Sequence, residues 1–256
     1  MSRIIAVANQ KGGVGKTTTS VNLSASLAIM ENRVLLVDCD PQANSTSSLG
    51  FEQQNLKHNL YTALCGKSDA AQALLPTALP YLTLMPSTTD LVGIEIELVG
   101  KVNRDYYLSE LLNTLKDKYD YIVLDCPPSL GVLTINTLCA SHEVLIPLQC
   151  EFFALEGIVK LMRTYEQVRK YLNKDLKILG VLLTMYDSRN KLARQVKAEA
   201  ERCFQAHMLQ TVIPRNVRLS EAPSHGKTII NYDIRSKGAE AYLQLAKEVV
   251  NKKAMP

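Results

Sequence analysis

The sequence predicts an α/β fold: a single doubly wound domain over residues 1–256, with a mostly parallel sheet and helices on both faces. Three observations carry that expectation. Short runs rich in Val, Ile and Leu recur along the chain. They are nearly continuous in apolar residues rather than alternating, as strands buried on both faces are. Stretches with helical spacing lie between them, and a β-α-β-α order implies parallel strands joined by crossovers. The 256 residues are 46% hydrophobic and 21% charged, enough to bury one sizeable core.

The elements follow in order. Residues 3–9 read as the first strand, and a glycine-rich turn leads into a helix over 16–30. Residues 33–38 read as a second strand that ends on Asp38. The stretch 44–100 is the least regular and reads as loops and short helices over one end of the sheet, with a short strand at 82–85. A helix over 104–119 and a strand over 121–125 follow, then a strand over 143–148. The last part alternates helix 155–171, strand 177–184, helix 191–206, a short strand at 210–213 and helix 238–251. In that final helix Ala241, Leu245, Ala246 and Val249 recur at helical spacing and should face the core. No long linker, internal repeat or low-complexity tract interrupts this order.

Several classes are excluded. No apolar run approaches the roughly 20 residues that span a bilayer. The N-terminus has one basic residue before a short apolar stretch and reads as a strand rather than a signal peptide. Cys39, Cys65, Cys126, Cys139, Cys150 and Cys203 are scattered, none in C-x-x-C spacing, so neither a zinc site nor a dithiol redox motif is indicated. Buried free thiols in an intracellular protein are the expectation.

Charge is distributed unevenly. Residues 1–183 carry 16 Lys/Arg against 18 Asp/Glu, a net of −2, whereas residues 184–256 carry 13 against 7, a net of +6. Such a bias suits a surface that meets nucleic acid or anionic lipid, and equally a solvated helical surface.

The strongest chemical signal is Asn9-Gln10-Lys11-Gly12-Gly13-Val14-Gly15-Lys16-Thr17-Thr18, between the first strand and the first helix. Glycines let backbone N–H groups converge on phosphate oxygens, and the helix N-terminus adds its positive dipole end. Lys16 can reach β- and γ-phosphates, and the Thr17 hydroxyl can ligate Mg²⁺. Two carboxylates, Asp38 and Asp40, lie at the end of the second strand, and Asp125 ends the strand at 121–125. Strand ends are where ligands bind in such sheets, and a carboxylate there can hold Mg²⁺ through its waters.

The loop has Gln10 where the common phosphate loop has its first glycine, and it carries an extra lysine, Lys11. This form resembles the deviant Walker A loop of the ParA/MinD family of P-loop ATPases. The likeness continues through residues 148–157 and 213–227, the latter very like ParA proteins of the Soj type. The resemblance implies a P-loop NTPase fold and an ATPase with ATP and Mg²⁺ as cofactors. It implies that Lys11 reaches across a dimer interface to the partner's nucleotide, that Asp40 orients the attacking water and that Asp125 sits near the magnesium. Gly12, Gly13, Val14, Gly15, Lys16, Thr17 and Thr18 would bind the phosphates, Pro214 and Asn216 would line the adenine, and Glu151 would contact the partner's nucleotide. It further implies a homodimer with ATP, a ParB-type partition partner and non-specific duplex DNA held by Arg189, Arg218 and Lys227. No stable membrane binding is expected, and the location would be cytoplasmic on the nucleoid. Other classes of the same fold stay open at this point: a switch that positions another cargo, a membrane-surface switch and a metabolic P-loop enzyme.

Overall fold

A computed structural model describes residues 2–151 and 154–252. Its strands are β1 (Arg3–Val7), β2 (Val34–Asp38), β3 (Leu75–Pro76), β4 (Leu82–Met85), β5 (Tyr121–Asp125), β6 (Glu143–Gln149), β7 (Lys177–Tyr186) and β8 (Met208–Pro214). They form one sheet in the order β3-β4-β2-β5-β1-β6-β7-β8. Among the described residues only β3, antiparallel to β4, departs from the parallel arrangement. The helices are α1 (Lys16–Ile29), α2 (Asn44–Ser48), α3 (Leu60–Leu64), α4 (Ile94–Glu97), α5 (Tyr107–Asn113), α6 (Val132–Ala140), α7 (Ala154–Tyr171), α8 (Lys191–Phe204), α9 (Val217–Glu221), α10 (Ile229–Asp233) and α11 (Lys237–Asn251).

The strand period of two sorts the core into two faces. Ile5 and Val7 of β1 pack with Leu23 and Leu27 of α1 and with Leu245 and Val249 of α11. Ala6 and Ala8 turn the other way, onto Ile158 and Leu161 of α7 and Ala193 of α8. Leu35 and Val37 of β2 extend that second face over α3 and α5. Each such Leu, Ile or Val contributes about 1.5–3 kcal/mol through burial. Helix α1 is buried on nearly every side. Small residues such as Ala25 and Ala28 let it fit between the sheet and α11, and the Ser20 and Ser26 hydroxyls return to the carbonyls of Lys16 and Asn22 at 3.0 and 2.7 Å.

Some expectations change. The helix at 104–119 is shorter: a 3-10 turn at Arg104–Tyr106 leads into α5, which stops at Asn113. Helix α6 is not expected from its β-branched residues, but Thr137 and Ser141 return their hydroxyls to Thr134 O and Thr137 O, and Leu138 is fully buried.

The close approach of β8 to β7 depends on Gly180. A Cβ there would lie 2.7 Å from Leu209 Cγ and 3.0 Å from His207 O. Gly180→Ala is therefore expected to lower stability by about 1–3 kcal/mol through overpacking. Denaturant unfolding checks this, and an unchanged midpoint contradicts it.

The carboxyl ends of β1, β2, β5, β6, β7 and β8 all open on one edge, where the chain reverses direction across the sheet between β5, β1 and β6. Such a switch point is a ligand crevice by construction.

Candidate active site

The loop after β1 is built for close approach of an anion. Gly13 and Gly15 have φ of 74° and 90°, which a side chain would strain. Gly15 caps the N-terminus of α1, and Thr19 N donates to its carbonyl at 2.9 Å. The first-turn amides of α1 then lack intrahelical partners and point out of the helix. The loop is fastened from three sides. Thr184 Oγ1 at the end of β7 donates to Val14 O at 2.8 Å, and Asn9 Nδ2 donates to Pro147 O at 2.7 Å. Asn9 Oδ1 accepts from Lys11 N at 3.0 Å. Gly157 lets α7 close on this corner: a Cβ there would lie 3.1 Å from Asn9 Oδ1 and 3.3 Å from Lys11 Cβ.

The two lysines face different surroundings. Lys16 is buried, its Nζ donates to Lys11 O at 3.1 Å, and burial lowers its pKa against the pull of Asp125 and Asp40. Lys11 lies on the outer side of the loop, half-exposed, with Nζ donating to Glu151 Oε2 at 3.2 Å. Glu151 Oε1 accepts from Gln149 Nε2. Gly12 is exposed, and a Cβ there would meet nothing within 4 Å.

Asp38 and Asp125 lie side by side on β2 and β5 and are fully buried. Asp125 accepts from Ser20 Oγ at 3.0 Å and from Ser45 Oγ at 2.7 Å. Asp38 accepts from Thr46 N and Oγ1 at 2.8 and 2.7 Å and from Asp40 N at 3.2 Å. Burial raises both carboxyl pKa values, and Asp125 raises that of Asp38 further. Asp40 is also buried and accepts from Gln42 N at 2.9 Å. A divalent cation suits this donor set: the buried carboxyl groups lack a full countercharge, and the Thr17 hydroxyl lies near enough to Asp125 to lower its pKa. No cluster of three or more His, Cys, Asp or Glu side chains able to hold a metal occurs among the described residues. Mg²⁺ takes few protein ligands and keeps water and phosphate oxygens.

A cavity of about 370 Å³ adjoins the loop, lined by Gly15, Thr18, Met185, Pro214, Asn216 and Tyr242 among others. The structure thus brings Pro214 and Asn216 to the phosphate loop across the sheet edge. Asn216 Oδ1 caps α9 by accepting from Arg218 N at 2.9 Å, and its side-chain NH₂ takes no part in that cap.

The three basic residues lie apart from the buried carboxylates. Arg189 is exposed and grips both oxygens of Asp187 at 2.7 and 3.0 Å, which lowers the Asp187 pKa to about 2. Arg218 donates to Glu221 Oε2 at 2.8 Å and lies 3.6 Å from Asp233 Oδ2. Lys227 is exposed and makes no ion pair among the described residues. Both arginines therefore sit in internal pairs rather than as free cations.

Sequence reasoning did not single out Ser20, Ser45, Thr46, Thr184 or Gly157. Ser20 could have been found, because it lies one helical turn after Lys16, on the same side of α1. The others reach the site only through the fold.

Comparison with known proteins agrees with this geometry. A family model described as an AAA domain matches residues 2–178. The chain is 55% identical over 249 residues to the sporulation initiation inhibitor protein Soj of Bacillus subtilis, covering 97% of this chain and 98% of that protein. It is 52% identical over 252 residues to the chromosome partitioning protein ParA of Myxococcus xanthus, covering 98% and 89%. A crystal structure named cobyrinic acid a,c-diamide synthase from Mycobacterium smegmatis, with bound ADP and magnesium, superposes with a TM-score of 0.88 at 39% identity, covering 100% of this chain and 98% of that one. Identity at about half of all positions, on a fold that sets its phosphate loop at the switch point of the sheet, makes this chain a member of the ParA/Soj family of chromosome-partitioning P-loop ATPases, with ATP and Mg²⁺ as its cofactors.

Proposed function

We propose that the chain is an ATP-driven dimerisation switch. Its ATP-bound homodimer binds duplex DNA without sequence preference and partitions chromosome or plasmid DNA together with a ParB-type partner, which stimulates hydrolysis along with DNA. It acts in the cytoplasm, on the nucleoid. The observation that carries this reading is the pairing of a buried Lys16 with an outward-facing Lys11 on one loop, beside an open Gly12. One lysine serves the chain's own nucleotide, and the other is available to a second copy. Among the described residues no helix is long and apolar enough to cross a membrane.

In this reading Lys16 and the first-turn amides hold the β- and γ-phosphates. Thr17 and Asp125 would hold Mg²⁺, which would supply charge neutralisation at the phosphates. Asp40 orients the attacking water. Pro214 and Asn216 line the adenine in the cavity beside Thr18. Lys11 leaves Glu151 for the partner's phosphates, and Glu151 turns to the partner's nucleotide. Lys11→Ala is expected to spare ATP affinity but weaken dimerisation and hydrolysis. Gly12→Val is expected to fold and bind ATP but to block close approach of a second subunit. Dimerisation of both variants like wild type in sedimentation with ATP contradicts the cross-subunit role.

Arg189, Arg218 and Lys227 form the DNA face. The internal pairs of the arginines are exposed and screened, so a phosphate can replace Asp187 or Glu221 as partner. Arg189→Glu and Arg218→Glu are expected to lose duplex binding while keeping ATP-dependent dimerisation. Binding one phosphate fewer flattens the salt dependence by about 0.9 in log affinity against log salt. A dimer doubles the number of phosphates bound, so tight binding requires ATP. Filter binding with random and defined duplexes checks this, and wild-type binding by both variants at moderate salt overturns it. An ATPase assay with and without duplex DNA and the candidate ParB tests the reading as a whole.

A further inference from the structure

Two glycines far apart in sequence meet backbone to backbone beside the site. Gly50 closes the segment that starts at Asp40. Within it Ser45 binds Asp125 and Thr46 binds Asp38, and Gly50 N donates to Ser47 O at 3.0 Å. Gly226 closes the 3-10 turn Ala222–His225: its N donates to Pro223 O at 3.0 Å, and Lys227 N donates to Ala222 O at 3.1 Å. A Cβ on Gly226 would lie 2.7 Å from Gly50 Cα, and a Cβ on Gly50 would lie 3.3 Å from Gly226 O. Both residues have positive φ, 84° and 62°. A side chain on Gly226 would collide with Gly50 and one on Gly50 would press on Gly226 O, so the two segments bear on each other as backbone.

The basic loop has two further anchors. Just before α9, Arg215 N donates to Tyr186 O at the end of β7 at 3.1 Å, beside Pro214 and Asn216, which line the cavity next to the phosphate loop. After Lys227, Ile229 N donates to Asn22 Oδ1 of α1 at 2.8 Å. Arg218 and Lys227 therefore lie on a stretch of chain held by β7 at one end and by the Asp40–Gly50 segment near the other. Leu49 and Phe51, flanking Gly50, pack on the same core cluster as Ala222 and Ile230. A movement of α2 has a direct path to the loop through packed groups.

We propose that the Gly50–Gly226 contact is the junction through which the Asp40–Gly50 segment sets the position of the basic loop at 218–227. Gly50 and Gly226 are then positioning residues for nucleotide-dependent DNA binding and DNA-dependent turnover. This rests on the DNA-binding reading above. Coupling of this kind is reciprocal: a segment that raises DNA affinity when ATP is bound also raises ATP affinity when DNA is bound.

The test compares Gly50→Ala with Gly66→Ala. Gly66 also has positive φ, 68°, but a Cβ there meets nothing within 4 Å, so it reproduces the backbone strain without the close approach. ATP affinity, ATP-dependent dimerisation, duplex affinity with and without ATP, and stimulation of hydrolysis by duplex are measured for each. Gly50→Ala is expected to bind ATP and dimerise like wild type, yet to lose about fivefold or more of the ATP-dependent gain in DNA affinity. Gly66→Ala is expected to keep that gain. A full gain in Gly50→Ala, or an equal loss in Gly66→Ala, overturns the junction. Wild-type protein with no ATP-dependent DNA binding overturns the underlying reading and the junction with it. Should Gly50→Ala fail to fold, hydrogen exchange on the wild-type protein decides. Amides of 222–230 are expected to change protection between the ADP and ATP-analogue states, and unchanged protection there refutes the proposal.

Discussion

Lys16→Ala is expected to reduce ATP affinity by about 30- to 5,000-fold, the equivalent of roughly 2–5 kcal/mol for removing one partner of a buried charge pair. The size follows from position. Lys16 is 7% exposed, at the N-terminus of a helix that is itself buried. Water cannot replace the ammonium there, so the phosphate charge would be left to the loop dipoles and the metal ion. Burial already lowers the Lys16 pKa, and a phosphate reverses that cost when it arrives. The fold should survive, because the one hydrogen bond removed is to the carbonyl of Lys11, on an exposed part of the loop. Calorimetric titration with Mg-ATP, with circular dichroism as the control for folding, checks the expectation. Wild-type affinity in a folded variant would remove Lys16 from the site.

Asp40→Ala should separate binding from turnover. Hydrolysis is expected to fall by about 10²- to 10⁴-fold, the usual worth of a positioned group that handles the attacking water. ATP affinity should not fall. Asp40 accepts from Gln42 N and bonds neither the loop nor Lys16, and its charge opposes that of Asp125. Removing it lowers the negative charge that triphosphate must approach. A dimer that forms and cannot turn over accumulates, so size-exclusion chromatography with ATP should show a long-lived dimer. A monomeric variant that hydrolyses ATP at the normal rate contradicts the role.

The legible parts of the site are those written in adjacent residues. The phosphate loop is local: its glycines fix the turn, and Lys16 and Thr17 follow from helix position. Asp38 and Asp125 were legible because continuous apolar runs mark strands and the carboxylates end them. Ser45 was not, since it reaches Asp125 across 80 residues of chain. The Gly50–Gly226 approach is hidden for the same reason, and Gly157 acts only through the approach of α7 to Asn9. The arginines show a different failure. Asp187 lies two residues before Arg189 and Glu221 three after Arg218, so the ion pairs were in plain view. A count of net charge by segment cannot register pairing between neighbours. In the fold, α6 escaped because β-branched residues argue against a helix until tertiary burial outweighs propensity.

The buried pair Asp38 and Asp125 gives the metal-free fold a pH dependence. Their carboxyl pKa values are raised in the metal-free fold, so they retain protons that solvent-exposed carboxyls would have released. The sign for stability follows. Their contribution is fully present below the ordinary carboxyl pKa and is lost as pH rises through the raised values. Metal-free protein should thus lose melting temperature from mildly acidic to neutral pH through this pair, and Asp38→Asn should reduce the loss. In the proposed site, Mg²⁺ with ATP would favour the ionised carboxylates, so binding is expected to release protons into the buffer. The measured heat of Mg-ATP binding should then vary with the ionisation enthalpy of the buffer, and its slope counts the protons released.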